Sequence, residues 1–371
     1  MDTVMLGLYT DYLICSTSYT TATGLSRVTD NAISHDKVTK FLSESDFTSA
    51  DLWPIAKPLV RSMEAALQKN EFGILAIDDS IEEKPYTDEN DIVAYHYDHA
   101  KGKMVKGICF LSAVYQTPQK TRVVVAYDVI KKTEKYVNKK TKKESRKSPI
   151  TKQKRYRDLI MTAVYNEVKF KYVVNDSWFS SAENMMFVKH VAHKEFIMPI
   201  KENRKVALSE KKLTAGEFVK IKDLEPGVDV LVRLEGVDFP LRFVRQVFKN
   251  EDGSTGVLYL VSSDIELTNA QIIEIYGRRW SIEDYHKSLK NNASLAKSPT
   301  KTPRTQANHL FASLCAFIKL EAISITTRLN HFALKDKIYI EALKTAFVEL
   351  HNLKKLVPFS LQTGNLQTAA A

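Results

Sequence analysis

Cysteine is scarce in this chain: three residues in 371, at Cys15, Cys109 and Cys315. Thiols so few and far apart make neither a disulfide framework nor a zinc pattern, and they fit a reducing compartment. Long apolar runs are also missing. No stretch approaches the ~18 apolar residues of a membrane-spanning helix. The opening MDTVMLGLYTDYLICS has an acid at position 2 and no basic leader. It reads as a poor signal peptide, so the expectation is a cytoplasmic protein. The two H-x-x-H pairs, His96/His99 and His190/His193, have no further ligands nearby. They read as surface or packing residues.

What is present looks globular. Hydrophobic residues make up 44% and charged residues 26%, which argues against a mostly disordered chain. The length suggests two or three domains. The net charge of +10 is concentrated in one place. Residues 131–157 hold thirteen basic residues and two acids, so the rest of the chain is close to neutral. Such a segment favours a polyanion, either nucleic acid or an anionic membrane.

Patterning divides the chain further. Residues 1–68 read as short helices, with Ser34 as N-cap for a helix whose Val38, Phe41 and Leu42 share a face. They suit either a DNA-binding helix-turn-helix or a plain helical packing unit. Residues 69–201 carry β-branched strands at 73–79, 105–115, 121–130, 170–176 and 195–200. Between them lie a solvated loop over about 131–149 and helices over about 151–169 and 182–193. Residues 202–265 read as a small β domain. Residues 266–325 open with a long helix from N-cap Thr268 to about Lys290, and 326–371 are helical with a polar tail. The fold class is therefore α/β: a mixed five-stranded sheet with helices, an inserted β-strand domain, and helical N- and C-terminal regions.

Two of these strands end in acids, Asp78/Asp79 and Asp176, and acids held on adjacent strands can bind hard divalent cations. The long helix adds a face. At about 100° per residue, Tyr276, Arg279, Glu283 and Lys290 fall within an arc of about 60°, with Lys287 beside it. Ile275, Ile282, Tyr285 and Leu289 fall opposite, and Arg278 falls unexplained inside their apolar arc. Tyr and Arg suit a phosphate, and a lone Glu among cations suits a metal. Trp280 could stack on a base, although packing is the more natural reading for a Trp there.

The spacing Tyr276-x2-Arg279-x3-Glu283-x6-Lys290 resembles the Y-R-E-K signature of the insertion-sequence-4 superfamily of bacterial DDE transposases. The flanking ILAIDDS, VVNDSWF and YHKSLKNNASLAKSPTKT agree with it. The likeness spreads over about residues 74–310. It implies an RNase H-like core with a β insertion between the second Asp and the Glu. It also implies Asp79, Asp176 and Glu283 as catalytic ligands of two Mg²⁺ ions, with Mn²⁺ able to substitute. Strand alternation puts Asp78 and Asp79 on opposite faces and does not choose between them. The resemblance implies Asp79, the acid directly before the Ser.

The resemblance further implies cleavage of transposon ends and strand transfer, with a homodimer bringing two ends together. The partners would be double-stranded DNA, both terminal inverted repeats and target. Tyr276, Arg279, Lys287, Lys290 and Trp280 would contact DNA near the cut and receive a flipped nucleotide, with Phe243, Phe248 or Tyr259 of the β insertion as further stacking candidates. Lys139, Lys140, Lys142, Lys143, Arg146 and Lys147 of the basic segment would grip the backbone. Two other readings compete: a non-catalytic DNA-binding descendant of a transposase, which would tolerate loss of an acid, and another RNase H-like nuclease, which would not need the Tyr/Arg/Lys face.

Overall fold

The computed structural model describes residues 2–99, 101–137, 139, 142, 144–224, 230–249 and 252–356. It opens with four helices, α1 (Thr3–Cys15), α2 (Ala22–Val28), α3 (His35–Glu44) and α4 (Ser49–Ala65). Asp2, Thr21 and the expected Ser34 cap the first three by accepting the backbone N–H of Met5, Gly24 and Lys37. Four strands follow, β1 (Gly73–Glu83), β2 (Val93–Asp98), β3 (Lys103–Gln116) and β4 (Arg122–Val129). A hairpin of β5 (Glu134–Val137) and β6 (Glu144–Lys147) leads to α5 (Lys152–Tyr165), β7 (Phe170–Asn175), α6 (Ala182–Met186) and β8 (Glu195–Pro199). Then come β9 (Lys205–Ala207), α7 (Glu210–Thr214), β10 (Val219–Lys220), β11 (Val230–Leu234), β12 (Leu241–Lys249) and β13 (Thr255–Ser262). The last described elements are α8 (Asn269–Gly277), α9 (Ser281–Asn291), α10 (Pro303–Thr327) and α11 (His331–Lys355).

The main sheet has eleven strands in the order β10-β9-β11-β12-β13-β8-β7-β1-β3-β2, with β4 also paired to β3. β1 runs parallel to β7 and β7 to β8, and every other pairing is antiparallel. Helices cover both faces at the centre. Tyr156 of α5 reaches Asn175 of β7 on one face, and Tyr285 of α9 reaches Ser112 of β3 on the other. Strands covered on both faces need no polar alternation, which is why Ile74–Ile77 and Tyr172–Val174 are continuously buried.

Several expectations change. The five foreseen strands correspond to β1, β3, β4, β7 and β8, but the sheet is larger. The strands of residues 202–265, read as a small β domain, continue the main sheet, since β13 pairs antiparallel with β8 and leads on to β12, β11, β9 and β10. The segment 131–149 is not a plain loop, since β5 and β6 pair within it. Asp78 and Asp79 do not end their strand. They lie mid-strand in β1, opposite Ser112 and Leu111 of β3, but one step past Ile77, the last residue paired to β7.

The helix expected over 268–290 is broken. Thr268 caps it in a capping box with Gln271, but Arg278–Trp280 form a 3₁₀ turn between α8 and α9. Arg278 explains itself there, donating from Nη2 to the carbonyls of Phe72 at 3.3 Å and Gln116 at 3.0 Å. The absence of a long apolar run also needs amending. α10 is long and apolar enough to cross a membrane by length and composition, yet most of that window is buried inside the molecule. α1, α3, α4, α9 and α11 pack on it. Its Asn308 donates to the carbonyls of Leu42 and Ser45, which ties the N-terminal helices to the body.

Candidate active site

Register decides which acids can meet. In an antiparallel pair, residues directly opposite share a face. Asp78 is opposite Ser112, whose hydroxyl bonds Tyr285 of α9 at 3.0 Å, so Asp78 lies on the α9 face. Asp79 shares the other face with Cys109 and with Lys152 at the start of α5. Its Oδ2 accepts from Lys152 Nζ at 2.7 Å and from the Cys109 thiol at 3.4 Å.

The electrostatics follow this division. Burial, with the charges of Asp176, Asp79 and Glu283, pushes Asp78 up to about 8, although its Oδ1 accepts the Asp79 N–H at 2.9 Å. Asp176 follows the end of β7. Burial and the charge of Asp79 raise its pKa, against the Trp178 N–H, which donates to Oδ1 at 3.1 Å, and the nearby Arg279. Burial, then Asp79, pushes the Cys109 thiol up to about 12. Lys152 is raised overall, because the neighbouring Cys109 and Asp79 outweigh its burial.

The 3₁₀ turn positions the cationic side. Arg279 Nη1 lies 3.6 Å from Glu283 Oε1, and its guanidinium stands 5.7 Å from the Tyr276 ring and 5.9 Å from the Trp280 ring. The Arg279 side chain is largely buried, and its Nε has no hydrogen-bond partner among the described residues. Tyr276 donates to the Asn175 carbonyl at 3.3 Å. Burial pushes its phenol up to about 12, although Arg279 pulls the other way.

Not every predicted contact residue faces this centre. Lys290 Nζ donates to the Ile81 carbonyl at 2.8 Å and ties α9 to β1. Lys287 lies over the Phe332 ring at 5.3 Å, toward α11. Trp280 is 66% exposed, so the packing expected of it is not found. Phe243 and Tyr259 are buried and stacked on each other at 6.2 Å, whereas Phe248 is exposed.

In the basic segment, several cations are paired. Arg146 holds Asp91 at 2.9 Å, Lys147 holds Glu134 at 3.1 Å, and Arg155 holds Asp128. Lys139 and Lys142 are exposed, and Lys140 and Lys143 lie outside the described residues. Sequence reasoning missed three neighbours of the acids: Lys152, Cys109 and Trp178. Lys152 was hidden in a charge run, and the register that brings Cys109 to Asp79 is not a local property.

For a divalent cation the donor chemistry fits, since the crowded groups are carboxylates and Asp78 is raised by like charges that a cation would offset. The fit is one of chemistry, for among the described residues no group of three or more His, Cys, Asp or Glu side chains stands together as a ready ligand cluster. Two cations of the chain itself stand among the acids instead, Lys152 on Asp79 and Arg279 beside Asp176 and Glu283.

A family model described as DDE superfamily endonuclease matches residues 2–216, a stretch that includes Asp78, Asp79 and Asp176 and ends before α8. No curated protein matches. Among solved structures, the Drosophila P element transposase strand transfer complex is similar at a TM-score of 0.26 and 10% identity, covering 56% of this chain and 47% of that one. This chain thus spans less than half the length of that transposase chain.

Proposed function

The chain belongs to the DDE superfamily endonucleases, and from that premise we propose that it is a DNA transposase that cuts transposon ends and joins them to target DNA. The observation that carries this reading is the mutual charge influence of Asp78, Asp176 and Glu283, with Arg279 Nη1 3.6 Å from Glu283 Oε1 and the Arg279 Nε without a hydrogen-bond partner among the described residues. A guanidinium with an idle donor beside crowded carboxylates suits a phosphodiester held near divalent cations.

In this reading Asp78, Asp176 and Glu283 would hold two Mg²⁺ or Mn²⁺ ions. Asp78 replaces Asp79, which the resemblance implied, because it shares the α9 face with Glu283's helix while Asp79 is paired with Lys152 on the α5 face. Such ions, when bound, activate an attacking hydroxyl and stabilise a leaving oxygen. Arg279 would orient the phosphate, with the Tyr276 ring held beside its guanidinium by the phenol's bond to the Asn175 carbonyl. Lys152 would keep Asp79 neutralised beneath the centre. Lys139 and Lys142 would hold the backbone of duplex DNA away from the cut. Two copies would act together on a pair of inverted-repeat ends.

The test uses the full chain, Mg²⁺ and duplex DNA carrying the inverted repeats that flank its gene. Asp78→Asn, Asp176→Asn and Glu283→Gln are each expected to lose cleavage while Asp79→Asn keeps most of it. Wild-type rates from all of the first three would refute the mechanism. Loss in Asp79→Asn with activity in Asp78→Asn would return the role to Asp79.

A further inference from the structure

Beside the acids lies a row of aromatic rings that the chemistry above does not use. Trp178 follows Asp176 by two residues and is 49% exposed. Its ring lies 5.5 Å from His99, at the tip of the β2–β3 hairpin, and His99 lies 4.9 Å from Tyr97 at 80°. Tyr97 is 50% exposed and Tyr95 48%. Alternation puts both on one face of β2 while His96 between them is buried. The row is therefore Trp178, His99, Tyr97 and Tyr95, running from the loop after β7 to the edge of the sheet.

These rings are held, not loose. The Trp178 N–H donates to Asp176, the Trp178 carbonyl accepts from Gln153 Nε2 at 3.0 Å, and the next residue, Phe179, is buried and stacked on Tyr156 at 4.9 Å. Tyr97 meets His99 near-perpendicular, and both rings stay exposed. Four exposed rings in a row are costly surface for a protein to leave in water unless something covers them.

The charge beside the row says what covers it. The basic β5–β6 hairpin is fastened to the same strand. Lys132 Nζ donates to the Tyr95 carbonyl at 2.6 Å, and Arg146 holds Asp91, two residues before β2, at 2.9 Å. Exposed Lys139 and Lys142 lie on the connection between β5 and β6. Aromatic faces interleaved with cations match unpaired nucleotides, whose bases stack while their phosphates meet the charges. Paired bases keep their faces inside the duplex and cannot use such a row.

We propose that Trp178, His99, Tyr97 and Tyr95 form a stacking surface for unpaired bases of single-stranded DNA at the end being cut. The inference deepens the endonuclease reading and rests on it. It is tested without chemistry, on the full chain in EDTA, with two DNA ends: a blunt duplex, and the same duplex with a short unpaired flank carrying 2-aminopurine.

Wild type is expected to bind the flanked end more tightly and to quench the 2-aminopurine fluorescence. Trp178→Ala is expected to lose the quenching and to weaken flanked-end binding by about tenfold, the scale of one stacked base, with blunt-end binding held within about twofold. Trp178→Phe should keep most of the preference, which a merely misfolded loop would not. A wild-type preference in both Trp178→Ala and Tyr97→Ala would overturn the proposal, as would an equal loss on both DNA ends. If wild type binds neither end, the endonuclease reading falls with it. If it binds both ends equally, the stacking surface alone is refuted.

Discussion

Replacing Lys335 by methionine keeps the length of the side chain and removes its ammonium. That group is buried between three helices. It donates to Ile14 O at 2.6 Å, Asn292 O at 3.2 Å and Leu13 O at 3.5 Å. The first and last are carbonyls that α1 leaves unpaired at its C-terminus, and Asn292 closes the helix that carries Glu283. Burial and the nearby Lys297 push Lys335 from its ordinary 10.5 down to about 8. At about 1.36 kcal/mol per pH unit the full difference is an upper bound of about 3 kcal/mol. Relaxation of the polar surroundings, which act with a higher effective dielectric than a dry interior, brings it to about 2 kcal/mol.

The unfolded chain keeps the Lys335 proton up to about 10.5, whereas the folded chain releases it above about 8. Between those values the unfolded state binds more protons, so this group makes stability rise with pH. Its penalty is complete below 8 and gone above 10.5. Lys335→Met has no proton to release. The stability of wild type over Lys335→Met should therefore grow by about 2 kcal/mol between pH 7.5 and 10.5. Urea unfolding followed by circular dichroism, both proteins in matched buffers, reads this difference and cancels the titration of every other group. Parallel pH dependences, or a gap that narrows as pH rises, would refute the reasoning.

Two further outcomes follow from ion pairs. In a double-mutant cycle on Asp79→Asn and Lys152→Met, unfolding free energies should show a coupling of about 1–3 kcal/mol, because the pair is partly buried at 2.7 Å and each single change strands the other charge. Additive effects would show that the pair contributes nothing. Lys139→Gln with Lys142→Gln should weaken binding to all duplex sequences alike and lower the salt slope of binding by about 2. A loss confined to one sequence would contradict a backbone contact.

Local signals were legible in the sequence and distant pairings were not. Ser34 and Thr268 were readable as caps because capping joins residues three apart. The five core strands were readable from their β-branched runs. β2 was not, since its alternation of Tyr95, His96 and Tyr97 makes sense only once β3 lies beside it. The role of Arg278 was not legible because its partners, the carbonyls of Phe72 and Gln116, are far away in sequence. Of the two neighbouring acids the resemblance pointed to Asp79; the register that sets Asp78 opposite Ser112 and the Lys152 pair on Asp79 are distant pairings that no local signal carries.

The continuity of the sheet through β13 and β8 bears on how this architecture can be cut or altered. β8 pairs with β7 on one side and with β13 on the other. Removing residues 202–265 would not release a spare module. It would strip one flank of β8 and expose a row of unpaired backbone amides and carbonyls on the apolar stretch Phe196–Pro199, a template for association with other chains. The inserted strands therefore also act as a guard on solubility, and shortening them is tolerable at the far end, near β10, rather than at the seam.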